Sequence, residues 1–301
     1  MRALALFLAV SSTAIAAPKP HKKAAAHPHA AKPTGDEKQG SGGISPGPSS
    51  GPPELLFTFD DGPAGAQTLK VLDLLDQYHI KAVFFVNGVH FLGKHASDER
   101  ERAILREELK RGHAVGNHTI HHYFLCGKVY VKRANEEIEG NAALIEEATG
   151  IRPDLFRTPF GAHCPQLSTV LSGLGIRPIG WDIDPQDWKL KDAGKIQAFM
   201  ETELRNFKQG RRILLMHDIQ PATVQALPKI LAFLQKENES RVARGQPPIK
   251  VIDYGYLLPK RPLIPPIFDS LGRYLIDWAG ERLNPVWPGA HSFLPIQPHA
   301  A

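Results

Sequence analysis

Two adjacent carboxylates, Asp60 and Asp61, and two histidines four residues apart, His118 and His122, are suited to binding a cation and moving a proton. Each group ends a short apolar run. Adjacent carboxylates leaving a strand can face different ways, so one can hold a cation while the other handles a proton. Histidines at i and i+4 sit on one side of a helical turn, within reach of one ion. Neither signal is specific alone. With 14 histidines in 301 residues such a pair arises readily by chance, and Asp-Asp-Gly-Pro is also good turn chemistry. Asp61 added to the two imidazoles completes a two-histidine, one-carboxylate set, which leaves positions open for water and substrate. Arg157, the tract Asp184-Pro185-Gln186-Asp187-Trp188 and the run Leu215-Met216-His217-Asp218 each follow another apolar run.

Convergence requires a scaffold. Leu55–Phe59, Ala82–Val86, Ala114–Gly116, Leu155–Arg157, Ile176–Trp181, Ile213–His217 and Ile249–Ile252 read as short strands. Amphipathic helices alternate with them, among them Gln67–Tyr78, Asp98–Arg111 and Lys132–Thr149, the last stopped by Gly150. About seven strands alternating with helices imply an α/β fold with a parallel sheet, either a barrel or a doubly wound sheet. In both, the site forms where strands end.

The flanks differ in texture. Residues 1–17 read as a signal peptide: Arg2, the apolar stretch Ala3–Val10 and an Ala14-Ile15-Ala16 cleavage signal. Residues 18–53 are rich in Pro, Lys, Gly and Ser and read as a disordered linker. The catalytic domain is expected over 54–258, followed by a Pro-rich extension, 259–301, with one amphipathic helix at Ile267–Leu283. Of the formal charge of +5, Arg2 carries one and residues 18–53 carry three, so the domain is nearly neutral and nothing indicates nucleic-acid binding. No integral membrane segment is expected after signal cleavage.

Five motifs in order, Thr58-Phe59-Asp60-Asp61-Gly62-Pro63, His118-Thr119-Ile120-His121-His122, Arg157-Thr158-Pro159-Phe160, Asp184–Trp188 and Leu215–Asp218, resemble the polysaccharide deacetylases of carbohydrate esterase family 4. The resemblance implies a distorted, incomplete (β/α)7 barrel and a divalent metal on Asp61, His118 and His122. Zinc suits those ligands, and cobalt, nickel or manganese can occupy the same set. It further implies Asp60 as general base, His217 as general acid, Arg157 and Asp187 as their respective partners, and the Phe160 N–H as an oxyanion donor. Trp188, Leu215 and Pro159 would line the substrate pocket. Phe160 stands where the family often has Tyr. His121 and His163 are read as bystanders.

The implied reaction is hydrolysis of N-acetyl groups on an N-acetylglucosamine-type polysaccharide, peptidoglycan first, by an enzyme exported to the periplasm, cell envelope or medium. Chitin oligosaccharides, poly-N-acetylglucosamine and acetylxylan are alternatives, and a non-catalytic glycan-binding protein is the alternative of another class. Cys126 and Cys164 lie four residues beyond His122 and Phe160. In an oxidising compartment they either join the two loops flanking the metal or remain two buried thiols.

Overall fold

The computed structural model describes residues 50–257. The expected signal peptide, nearly all of the linker and the 259–301 extension lie outside the described residues.

The strands are β1 (Glu54–Asp60), β2 (Val83–Val86), β3 (Ala114–Asn117), β4 (Arg211–His217) and β5 (Lys250–Val251). All pair in parallel, in the order β3-β2-β1-β4. β5 pairs with the first two residues of β1, whereas β2 pairs with Thr58 to Asp60. Single parallel bridges join Asn117 to Phe156, Phe156 to Pro178, and Ile183 to Leu214, carrying the sheet round from β3 towards β4. The expected strands at 155–157 and 176–181 are thus reduced to isolated bridges. Pro178 explains part of this, because it has no N–H to give to a ladder. This irregular arc is what makes the barrel distorted and incomplete.

Among the described residues seven α-helices lie between these strands: α1 (Ala66–Gln77), α2 (Ala96–Lys110), α3 (Ala134–Thr149), α4 (Pro165–Gly173), α5 (Asp187–Leu190), α6 (Ala193–Asn206) and α7 (Pro221–Ala243). α3 ends at Gly150, whose φ of 77° only glycine adopts without penalty.

Period-two alternation sorts the strand residues between two cores. Leu55, Phe57 and Phe59 of β1 and Leu214 and Met216 of β4 pack outwards with Val71, Leu72, Leu75, Leu227, Ile230 and Leu231 of the helices. Leu56, Val83, Phe85 and Ile213 pack inside the barrel. Continued upwards, the inner face of β1 carries Thr58 and Asp60, and that of β4 carries Leu215 and His217. The register sets Asp60 opposite His217. The polar interior positions therefore lie at the carboxyl ends of the strands.

Among the described residues a buried carboxyl without a partner lies on α2. Glu108 of α2 is fully buried, and neither carboxylate oxygen has a hydrogen-bond partner among the described residues. Burial, then the charges of Asp218 and Glu101, pushes its carboxyl well above the usual 4.5. A carboxyl whose folded pKa exceeds its unfolded one favours the fold below pH 4.5 and loses that contribution as pH rises towards the folded value. Glu108→Met is therefore expected to stabilise the domain by about 1–3 kcal/mol at pH 8 and by less at pH 4. Urea titrations at both pH values check it, and an equal gain at the two would refute the titration argument.

Candidate active site and metal centre

β1 delivers two carboxylates to different tasks because the chain turns sharply after Asp60. Asp61 has a left-handed φ of 74°, and its N–H donates to the Phe85 carbonyl at 3.1 Å. Asp60 stays on the inner face, buried, and its Oδ1 accepts from Arg157 Nη1 at 2.7 Å.

β3 ends at Asn117, and the chain then forms a loop rather than the helical turn read from the i, i+4 spacing. Thr119 and His122 both have positive φ, 70° and 57°. These reversals, not helical pitch, return His122 to the side of His118. The loop is held by buried amides. Thr119 N–H donates to Asn117 Oδ1, Asn117 Nδ2 donates to the Ile138 carbonyl, and Asn87 Nδ2 donates to the His118 carbonyl. Asn141 Nδ2 donates to Asn117 Oδ1 and closes the network.

The result brings Asp61, His118 and His122 together, with one potential ligand atom from each lying within 4.8 Å of the others. Asp61 Oδ1 is 3.3 Å from His122 Nε2 and 3.5 Å from His118 Nε2. The donor chemistry fits a divalent cation. Asp61 Oδ1 is buried without a hydrogen-bond partner among the described residues. His118 Nδ1 lies 2.8 Å from the Arg157 carbonyl, and an N–H donated there leaves the Nε2 lone pair for an ion. Burial, outweighing the nearby carboxylates, lowers His118 to about 4, so the ring is neutral as a ligand must be. Burial opposes ionisation of Asp61, but the charges of His122, His217 and His118 prevail and hold it at about 2.

Arg157 is wholly buried. Nη1 donates to Asp60 and, at 2.8 Å, to Thr58 Oγ1, while Nε and Nη2 donate to the carbonyls of Ile179 and Gly180. Its guanidinium also lies 4.2 Å from the Phe85 ring centroid. A fork fixed at that many points presents one N–H to Asp60 in a single orientation.

Across the mouth, His217 Nδ1 contacts Asp187 Oδ1 at 2.7 Å, and Asp187 Oδ2 accepts from His217 N–H and Thr223 Oγ1. His217 Nε2 is 3.9 Å from Asp61 Oδ2. Trp188 follows Asp187 in α5, and Leu215 sits two residues before His217 on the same face of β4. Pro159 is buried at the start of a turn in which Phe160 has φ 60°. The Phe160 ring packs 4.5 Å from that of His122. With Gln186, five non-glycine residues at positive φ surround the mouth: Asp61, Thr119, His122, Phe160 and Gln186. Such strain persists only where surrounding contacts over-determine it, and it concentrates at functional sites.

A disulfide links Cys126 to Cys164, tying the histidine loop to the segment after Phe160. His121 is turned away from the triad and contacts Glu137 through Nδ1 at 2.8 Å, while His163 is exposed. The sequence motifs assign no role to His90, nor to Asp218, which closes the last of them. Burial lowers His90, against the pull of the Asp61 backbone and the Asp61 and Glu101 charges. Its position four residues after β2 was the available signal. Asp218 is fully buried, and burial pushes it up to about 7. Its clue was a carboxylate directly after a strand-end histidine.

Comparison with known proteins decides the family. The family described as polysaccharide deacetylase matches residues 48–179. A peptidoglycan-N-acetylglucosamine deacetylase of Bacillus cereus is 32% identical over 188 residues, covering 61% of this chain and 82% of the relative. The chain belongs to the polysaccharide deacetylase family. A peptidoglycan-N-acetylglucosamine deacetylase of Listeria monocytogenes is likewise 32% identical over 183 residues, which cover 61% of this chain but 36% of that protein. This polysaccharide deacetylase domain thus spans little more than a third of the Listeria relative. Among solved structures, a family 4 carbohydrate esterase from Streptomyces lividans in complex with acetate superposes with a TM-score of 0.52 at 27% identity, over 62% of this chain and 89% of that one. No helix of the described residues is long and apolar enough to cross a membrane.

Proposed function

We propose that this chain is a metal-dependent hydrolase that removes N-acetyl groups from an N-acetylglucosamine-type polysaccharide, peptidoglycan first, releasing acetate. One observation carries the reading. An ion-ready triad, Asp61, His118 and His122, has a carboxylate–arginine pair on one side and a histidine–carboxylate pair on the other. Asp61, His118 and His122 would hold a divalent metal, zinc best by ligand type, which would supply Lewis acidity to a water and to the amide carbonyl. Asp60 takes the proton of the attacking water, aligned by Arg157. The Phe160 N–H, presented by the left-handed turn, faces the oxyanion. His217, held by Asp187, gives its proton to the departing amine. Trp188, Leu215 and Pro159 offer apolar surface to the acetyl methyl. Peptidoglycan is supported by the Bacillus and Listeria relatives, both peptidoglycan-N-acetylglucosamine deacetylases, and the product by the acetate complex of the Streptomyces esterase. The leader read at 1–17 implies export.

Acetate release should be measured on peptidoglycan, chitin oligosaccharides and acetylxylan, before and after chelation. Release from peptidoglycan is expected, lost on chelation and restored by zinc. Undiminished release after complete metal removal would rule out the mechanism. Faster release from chitin oligosaccharides would move the substrate to that alternative.

A further inference from the structure

The loop carrying Asp61 rests on a carboxylate to which the mechanism gives no task. Asp218 follows His217 at the end of β4 and is fully buried. Its Oδ2 accepts from Thr68 Oγ1, and Thr68 Oγ1 in turn accepts from the Ala64 N–H at 2.8 Å. The Asp218 carboxylate lies directly under Gly62. A Cβ at Gly62 would meet Oδ2 at 2.6 Å and Oδ1 at 2.8 Å, closer than real Cβ atoms approach. Beside it, Gln67 Nε2 donates to the Ile219 carbonyl at 3.0 Å, and the Gly62 carbonyl accepts from the Asn87 N–H at 3.0 Å. The segment between Asp61 and α1 is therefore pinned from below by Asp218 and from the side by Asn87. Asp61 itself takes a left-handed φ, a conformation that needs such outside support.

We propose that Asp218, acting through Thr68 and against the Cα of Gly62, is a positioning residue that holds Asp61 in its cation-binding orientation. It thereby sets the affinity of the site for a divalent ion. The inference rests on the metal reading of Asp61, His118 and His122, but its test does not depend on acetate release. Contacts that orient a ligand typically govern 10- to 100-fold in metal affinity.

The experiment is competition of the full chain with a chromogenic chelator for zinc, alongside thermal melting of every variant. Asp218→Ala and Thr68→Val should weaken zinc binding by about 10- to 100-fold. Thr68→Ser keeps the hydroxyl and should restore wild-type affinity. Gly62→Ala should weaken binding by itself, yet add nothing in the Asp218→Ala background, where the carboxylate it would strike is gone. A purely structural role would lower the melting temperature while leaving zinc affinity unchanged, and that result overturns the proposal. Additive losses in the Gly62→Ala, Asp218→Ala double variant overturn it too. Should Asp218→Ala fail to fold, the nearly isosteric Thr68→Val decides alone: wild-type affinity refutes, weakened affinity rescued by Thr68→Ser supports. Zinc binding without acetate release would sink the proposed activity and leave this inference standing, whereas a wild-type chain that binds no zinc sinks both.

Discussion

Asp60→Asn is expected to cut turnover by about 10²- to 10⁴-fold while zinc content stays at the wild-type level. The two carboxylates at the end of β1 face different partners, and this makes their effects separable. Asp60 is bound to Arg157 and lies 3.7 Å from His118 Nε2, whereas Asp61 Oδ1 faces both imidazoles and has no hydrogen bond among the described residues. An asparagine at 60 can still accept the Arg157 N–H through its oxygen, so the buried fork is not left unpaired. It cannot take up a proton, which is the task assigned to it. His118→Ala, by contrast, should lose turnover and zinc together, because it removes one of three ligands. Acetate release under saturating substrate, with metal analysis of the same dialysed samples, separates the outcomes. If Asp60→Asn retained a tenth of wild-type turnover, another group would have to be the base.

The sequence made the chemistry more legible than the scaffold that aims it. Asp60, Asp61, Arg157 and His217 each lie at or just beyond an element end, and parallel connections bring such ends together whatever the sequence distance. The two strands between Leu155 and Trp181 were harder to read. Their apolar residues are short runs, and a missing ladder donor such as Pro178 leaves hydrophobicity intact while abolishing regular pairing. The histidine spacing suggested a helical turn, but the fold uses positive φ at Thr119 and His122. Histidine visits that region more often than most residues, but a β-branched residue such as Thr119 rarely does, so side-chain type alone does not mark the reversal. The reversal is imposed by Asn87, Asn117 and Asn141, which come from three separated segments and meet only in three dimensions. Asp218 escaped for a similar reason, since its partners, Thr68 and Gly62, lie about 150 residues earlier in the chain.

Asp187→Asn should move the alkaline limb of the pH–rate profile to lower pH by about one to three pH units, and the loss of rate should grow with pH. Burial of His217 opposes its charged form. The Asp187 hydrogen bond, with the charges of Asp187, Asp61 and Asp60, overcomes that opposition and pushes the ring from 6.5 to about 10. A general acid works only while protonated, so the rate falls as pH passes its pKa in the complex. Without the Asp187 charge, burial gains weight and the proton leaves at lower pH. A cation on Asp61 also disfavours the imidazolium, but it does so in both proteins and cancels in the comparison. The pair has a linked effect on folding. Because the folded pKa exceeds the unfolded one, its stabilisation is complete below about 6.5 and disappears as pH rises through about 10. Thr223→Val provides the control, since it removes a hydrogen bond to Asp187 Oδ2 but leaves the charge, and should leave the limb near its wild-type position. An Asp187→Asn profile that is uniformly lower with an unshifted limb would mean that the titrating acid is not His217.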